Sequence, residues 1–402
     1  MSSLPTASLL DRAWNDVLAY LPTDIDELAR QTGAIQKPRQ IRTGRQLLRL
    51  VFAYSVLDLS LRSTSAWAKT QNIAKMSDVA VYKRISAAVD FLACILARLL
   101  AKKLPASQVG PLPWRVRIID ATTVSAPGSS GTDWRIHATY DPVLGTFDAI
   151  ELTDDSGGEH FGRTNGGEGE LILGDRGYAH SSRILEARRA GAHVLVRAGH
   201  SAVPMWNLDG NRLDPLAWAR RKRSKAGRPS RVEETMMVLG NDGEECCLGR
   251  LIVIRKSVAA TERERARIRK ECGRKGKTPT ERSLAAAAFT FLVTTVPKEE
   301  ASSVMLAELY RVRWQVELAF KRWKSLMTLS DLRAREPGLA RAYILGKLIA
   351  ALLCDTLSRT ARDFSPWGVP IGATAESLEV VPVGHGPAPR RHPRRHSPTG
   401  GI

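Results

Sequence analysis

Long apolar runs are scarce in this chain. The longest, residues 284–293 and the interrupted run 342–354 with Lys347 inside it, fall short of the roughly 18–20 residues a membrane-spanning helix needs. The opening MSSLPTASLLDRAW has no basic segment followed by an apolar one, so no secretory signal is visible. Cysteine is sparse too. Cys94, Cys246, Cys247, Cys272 and Cys354 have spacings that fit neither a zinc site nor a disulfide framework. They read as packing residues of a protein kept in a reducing cytoplasm. Acid is in deficit: 41 Asp and Glu stand against 60 Lys and Arg in 402 residues, a net charge of +19. With 43% hydrophobic residues the chain can build real cores, which excludes a mostly disordered protein. A surplus of that size over folded segments points to a polyanionic partner, most simply nucleic acid.

The pattern along the chain divides into five stretches. Residues 1–113 read as a helical DNA-binding domain and linker, with apolar residues at helical spacing through 45–59 and 85–100. Between these runs, a short helix at 64–71 and a second one capped by Ser77, carrying Tyr82, Lys83 and Arg84, form a candidate helix-turn-helix. Three prolines in 104–113 mark the linker. Residues 114–197 change texture. A β-rich run at 115–120 ends in Asp120, and a hairpin spans 134–141 and 146–153. A strand at 170–174 then ends at Asp175, and a helix at 182–190 precedes a strand at 193–196. That order predicts an α/β layer with a mixed sheet. Residues 198–291 read as a basic, β-rich insertion, with strands at 233–239 and 246–254. Its runs 220–231 and 263–277 hold seven and eight Lys or Arg. Helices at 302–329 and 339–360 fill most of 292–360, and the Pro-, Arg- and His-rich 361–402 reads as a disordered basic tail.

The run LYRVRWQVELAFKRWKSL carries the most chemistry. On one helix at about 100° per residue, Tyr310, Arg313, Glu317, Lys321 and Lys324 share a stripe about 80° wide. Met305, Leu309, Val312, Val316, Ala319, Phe320, Trp323 and Leu326 then form the buried arc. Ion pairing of Glu317 with Lys321 alone would make this an ordinary solvated face. The added phenol and guanidinium suit a carboxylate flanked by phosphate-binding cations. A hard cation such as Mg²⁺ takes several oxygen ligands, so further acids are needed. Asp120 and Asp175 each follow an apolar strand, and pairing of those strands would bring them together.

The spacing Tyr310-x(2)-Arg313-x(3)-Glu317-x(6)-Lys324 resembles the signature of bacterial insertion-sequence transposases of the IS-four family. Asp120, and Asp175 within Asp175-Arg176-Gly177-Tyr178, match the other two acids of that family's site. The resemblance spans roughly residues 44–358. It implies a ribonuclease-H-like mixed-sheet core with a β-rich insertion between the second Asp and the Glu. It also implies that Asp120, Asp175 and Glu317 are catalytic and hold two Mg²⁺ or Mn²⁺ ions. Tyr310, Arg313, Lys324 and, by its place at the end of the strand HVLVR, Arg197 would bind DNA phosphates. The implied partners are double-stranded DNA, as terminal inverted repeats and target, and a second copy of the chain in a synaptic complex. The implied place is the bacterial cytoplasm, at the nucleoid. Where some relatives carry a base-stacking Trp, this chain offers Phe289 and Phe291, which read better as core strand residues. Two alternatives stand beside this: a non-catalytic DNA binder descended from such an enzyme, and another nuclease on the same fold.

Overall fold

A computed structural model describes residues 14–101, 112–129, 131–164, 166–221, 232–240, 246–329 and 332–363, with side chains to 358. Most of the linker 104–113, of the basic run 220–231 and of the tail 361–402 lies outside the described residues. By contacts, residues to Cys354 form one unit and those from Asp355 a second.

The helical region holds α1 (Ile25–Gln31), α2 (Gly44–Ser55), α3 (Leu61–Thr70), α4 (Asp78–Ser86) and α5 (Val89–Ala101). Local chemistry sets their starts. Thr43 and Gln46 close a reciprocal capping box on α2, with bonds of 3.1 and 3.3 Å. Ser60 caps α3, and Ser77 caps α4 by accepting from Ala80 N at 3.2 Å. The run expected at 45–59 stops at Ser55, because Asp58 takes a left-handed φ of 56° that a helix cannot continue through.

The rest is built on one sheet. Its strands are β1 (Arg115–Val124), β2 (Trp134–Asp141), β3 (Thr146–Asp154), β4 (Glu170–Gly174), β5 (His193–Ala198), β6 (Met205–Trp206), β7 (Val232–Gly240), β8 (Cys246–Arg255) and β9 (Phe289–Thr294). Their order is 3-2-1-4-5-9-8-7-6. β1, β4 and β5 run parallel, and the remaining pairs are antiparallel. The 3-2-1-4-5 portion has the ribonuclease-H-like arrangement. The strands of 198–291 continue this sheet through β9, and Phe289 and Phe291 are buried strand residues. Sequence reading missed helices in that interval: α7 (Pro215–Arg221), α8 (Val258–Arg274) and α9 (Glu281–Ala286), with α6 (Ser181–Arg189) preceding them. In α8 the cations alternate with Glu262, Glu264 and Glu271, which pair with Arg265, Arg267 and Lys275 at helical spacing.

The segment expected to be one helix is two, α10 (Ser303–Arg311) and α11 (Trp314–Met327), followed by α12 (Pro337–Asp363). At the joint the bonds tighten to three-residue spacing: Arg313 N donates to Tyr310 O at 3.2 Å, and Val316 N to Arg313 O at 3.3 Å. A uniform 100° step therefore fails across residues 312–313. Leu326, placed on the buried arc by that step, is 64% exposed. Val316, Ala319, Phe320 and Trp323 do face inward, and Trp323 stacks on Phe147 of β3 with ring centroids 4.1 Å apart. This packing fixes α11 against the front of the sheet.

One window, Pro337–Ser358, is long and apolar enough to cross a membrane, but 78% of it is buried in the protein. The window is longer than the apolar run 342–354 because it takes in flanking residues on both sides. Lys347 is 1% exposed, donates to Thr328 O and Oγ1 at 2.9 Å, and lies over the Tyr343 ring. The cysteines are not all packing residues: Cys246 and Cys354 are exposed.

Candidate active site

Register brings the two aspartates together. β1 and β4 pair in parallel from Arg115↔Glu170 to Ile118↔Leu173. The same offset carried two residues on sets Asp120 level with Asp175. β4 and β5 pair from Leu171↔His193 to Gly174↔Val196, and one further step sets Asp175 level with Arg197. Asp120, Asp175 and Arg197 thus form a row across three neighbouring strands. Asp120 lies within β1 and not at its end, because residues beyond it keep pairing with β2, as in Ala121↔His137. Strand alternation puts Asp120 on the same face as buried Val116 and Ile118, which α11 covers.

Both aspartates are fixed by the main chain. Asp120 Oδ1 accepts from Ala121 N at 2.9 Å, and Asp175 Oδ1 accepts from Gly177 N at 2.8 Å, capping a 3-10 turn over Arg176–Tyr178. A Cβ at Gly177 would meet the Glu159 carboxylate, which would have to swing aside. Burial pushes the Asp120 carboxyl up to about 7. Arg313 and the Ala121 N–H pull it back, while the charges of Asp175 and Glu317 push it further up. Both other acids therefore act on Asp120.

They do not form a ready cage. Among the described residues no three of His, Cys, Asp and Glu stand as a metal-binding group. Glu317 is half exposed and ion-paired with Arg313, whose other guanidinium nitrogen lies 3.9 Å from Asp120 Oδ2. Arg313 thus spans two of the acids as their counter-ion. Tyr310 is brought to the site: its hydroxyl donates to Gly174 O at 3.2 Å, one residue before Asp175, and burial pushes the phenol up to about 12. Arg197 acts on Tyr310, and its Nε is buried without a hydrogen-bond partner. Lys324 is not drawn in. It lies half-buried about two turns beyond Glu317, roughly 10 Å along the axis, and is not among the charges that shift Asp120 or Tyr310.

Three neighbours escaped the sequence reading. Glu159, in the β3–β4 connection, is a carboxylate raised by burial and then by the charge of Asp175. Trp314 is 55% exposed between Arg313 and Glu317, and an exposed indole inside the signature was the available signal. Arg176 follows Asp175 directly and feels the charge of Arg197.

Residues 113–353 match the family model described as the transposase DDE domain. The chain is 35% identical over 361 residues to the InsL protein of insertion sequence element IS186A from Escherichia coli strain K12, covering 88% of this chain and 96% of that one. It is likewise 35% identical over 362 residues, with the same coverage, to the transposase for insertion sequence element IS421 of Escherichia coli. Among solved structures, the piggyBac transposase synaptic complex with hairpin DNA aligns at a TM-score of 0.42 and 10% identity, over 86% of this chain and 73% of that one. The chain belongs to the DDE-domain transposases of bacterial insertion sequences.

Proposed function

We propose that this transposase cuts the ends of its insertion sequence and joins the freed 3′-OH to target DNA, with Asp120, Asp175 and Glu317 as the catalytic acids. The row of Asp120, Asp175 and Arg197 at adjacent strand positions, facing the Glu317 helix, carries this reading. The donor set suits a divalent metal: carboxylate oxygens are what Mg²⁺ or Mn²⁺ prefers, and the two aspartates offer them side by side. Two bound ions would stabilise the attacking and leaving oxygens of an in-line displacement. Arg313, released from Glu317 and Asp120, grips a phosphate beside the cut with its two-pronged guanidinium. Tyr310 ties α10 to the end of β4 and so holds the helix pair against Asp175. Trp314 offers an exposed face on which a base can stack. Lys324 reaches a phosphate further along the DNA, and two copies of the chain pair on two ends in a synaptic complex.

The direct test incubates the full chain with a duplex carrying the element end, target plasmid and Mg²⁺. Cleavage at the end followed by joining is expected, and nicking without joining would leave only a nuclease. Arg313→Ala should weaken end binding about tenfold, as loss of one charge-assisted contact of about 1.5 kcal/mol implies. Mg²⁺ affinity should hold or improve, because the acids lose their internal counter-ion. Isothermal titration of metal and of DNA separates the two effects.

End recognition falls to residues 1–113. Arg84 donates to Ala34 O at 2.9 Å and so holds the loop before α2, whereas Lys83 is exposed on α4. Lys83→Glu is the clean variant: end binding should weaken and its log–log salt slope flatten by about one phosphate contact, roughly 0.9. Binding unchanged in filter assays across a salt series would move recognition away from α4.

A further inference from the structure

Helix α8 rests on the protein by polar contacts more than by a core. Of its seventeen residues Thr261 is the buried one. Its inward side presents Glu264, only 16% exposed at the side chain. Both carboxylate oxygens accept from Arg267, at 2.8 and 3.1 Å, and Oε1 lies 4.0 Å from the Arg197 guanidinium. Lys256 and Arg176 complete a ring of cations. Lys256 is lowered by burial and then feels Glu264, Arg197, Arg176 and Arg267, in that order. The hydrogen bonds from Arg267, with the charges of Lys256 and Arg197, hold the Glu264 carboxyl down at about 2. Beside it opens a cavity of about 350 Å³ whose lining includes Arg176, Lys256, Arg267 and Lys275.

Two carboxylates, Glu264 and a Glu271 that pairs with Arg267 at 3.6 Å and with Lys275 at 3.1 Å, do not offset Arg176, Arg197, Lys256, Arg267 and Lys275, and like charges gathered in a cleft repel unless a further anion arrives. The fork of Arg267 on two oxygens is the geometry a phosphate takes. Arg197 keeps a buried Nε without a partner, a donor still to be met. Arg176 adjoins Asp175, and Arg197 stands level with it, so the cleft continues from the acid row.

We propose that this cleft binds a phosphate of the DNA backbone as it leaves the acid row, and that Glu264 occupies the phosphate position in the free protein as a latch. The arriving phosphodiester displaces the carboxylate, and α8, with little core of its own, tips outward. This rests on the reading of Arg197 as a DNA contact given above.

The test is DNA affinity of the full chain in EDTA, by fluorescence anisotropy, for Glu264→Gln beside Glu262→Gln. Glu262 pairs with Arg265 on the outer side, so its variant makes the same charge change. Glu264→Gln should tighten duplex binding about fivefold and steepen the salt slope by up to about 0.9, with Glu262→Gln within twofold of wild type. Equal effects of the two variants, or weaker binding by Glu264→Gln, would overturn the latch. A wild-type readout needs no variant: millimolar inorganic pyrophosphate should speed amide exchange in residues 258–274. Unchanged or slowed exchange counts against displacement. Neither assay involves cutting. Tighter binding by a protein that never cleaves ends would uphold the cleft and sink the transposition reading, and the reverse pair of results would do the opposite.

Discussion

Asp175→Asn is expected to abolish strand cleavage, by about 10³-fold or more, while end binding stays within threefold of wild type. The asparagine keeps an oxygen at the position of Oδ1, so the bond to Gly177 N and the turn over Arg176–Tyr178 survive. What is lost is a negative charge in the acid row. Loss of a charged oxygen ligand from a metal-assisted phosphoryl site removes several kcal/mol of transition-state stabilisation, and each 1.36 kcal/mol is a factor of ten in rate. Glu317→Gln should cut cleavage as deeply but act differently on DNA. Its carboxylate now occupies Arg313, and removing it frees that guanidinium for phosphate, so end affinity should rise. Gel assays of end cleavage, run beside anisotropy for binding, separate the two. Cleavage by Asp175→Asn within tenfold of wild type would mean that the acid row is structural.

The parts of this site that follow local rules were legible in the sequence, and those made by tertiary contact were not. β1, β4 and β5 announce themselves as apolar runs, and the position of Asp175 just past β4 follows from the run's end. The shared level of Asp120, Asp175 and Arg197 needs strand register, which periodicity does not carry. The tightened joint at 312–313 was invisible because every residue there is compatible with a continuous helix. It is packing of Trp323 and Phe320 on Phe147 that sets the course of α11. Helix α8 was hidden by its charge: with Thr261 as its buried residue it has no apolar stripe to read. Glu159 and Glu264 lack any motif, and only the fold brings them beside Asp175 and Arg197.

The metal-free protein should lose stability as pH rises from 5 to 8, and Asp120→Asn should be spared that loss. Burial raises the Asp120 carboxyl from 3.8 to about 7, so between those values the folded chain binds a proton that the unfolded chain has released. Stability then falls with rising pH through this window, and the penalty is complete above about 7. A shift of this size sets a ceiling of about 4 kcal/mol, and some two-thirds of the window lies above pH 5. Urea unfolding in EDTA should therefore show Asp120→Asn gaining about 2.5 kcal/mol on wild type between pH 5 and pH 8. The same proton competes with metal. Apparent Mg²⁺ affinity should climb about tenfold per pH unit up to about 7 and then level. Asp175→Asn removes a like charge that helps hold Asp120 up, so in that variant the stability inflection should move to lower pH. A Mg²⁺ affinity that is flat from pH 5.5 to 7, measured by isothermal titration, would show Asp120 already ionised there. Burial would then not be setting its charge, and the pocket around it would have to be open to water.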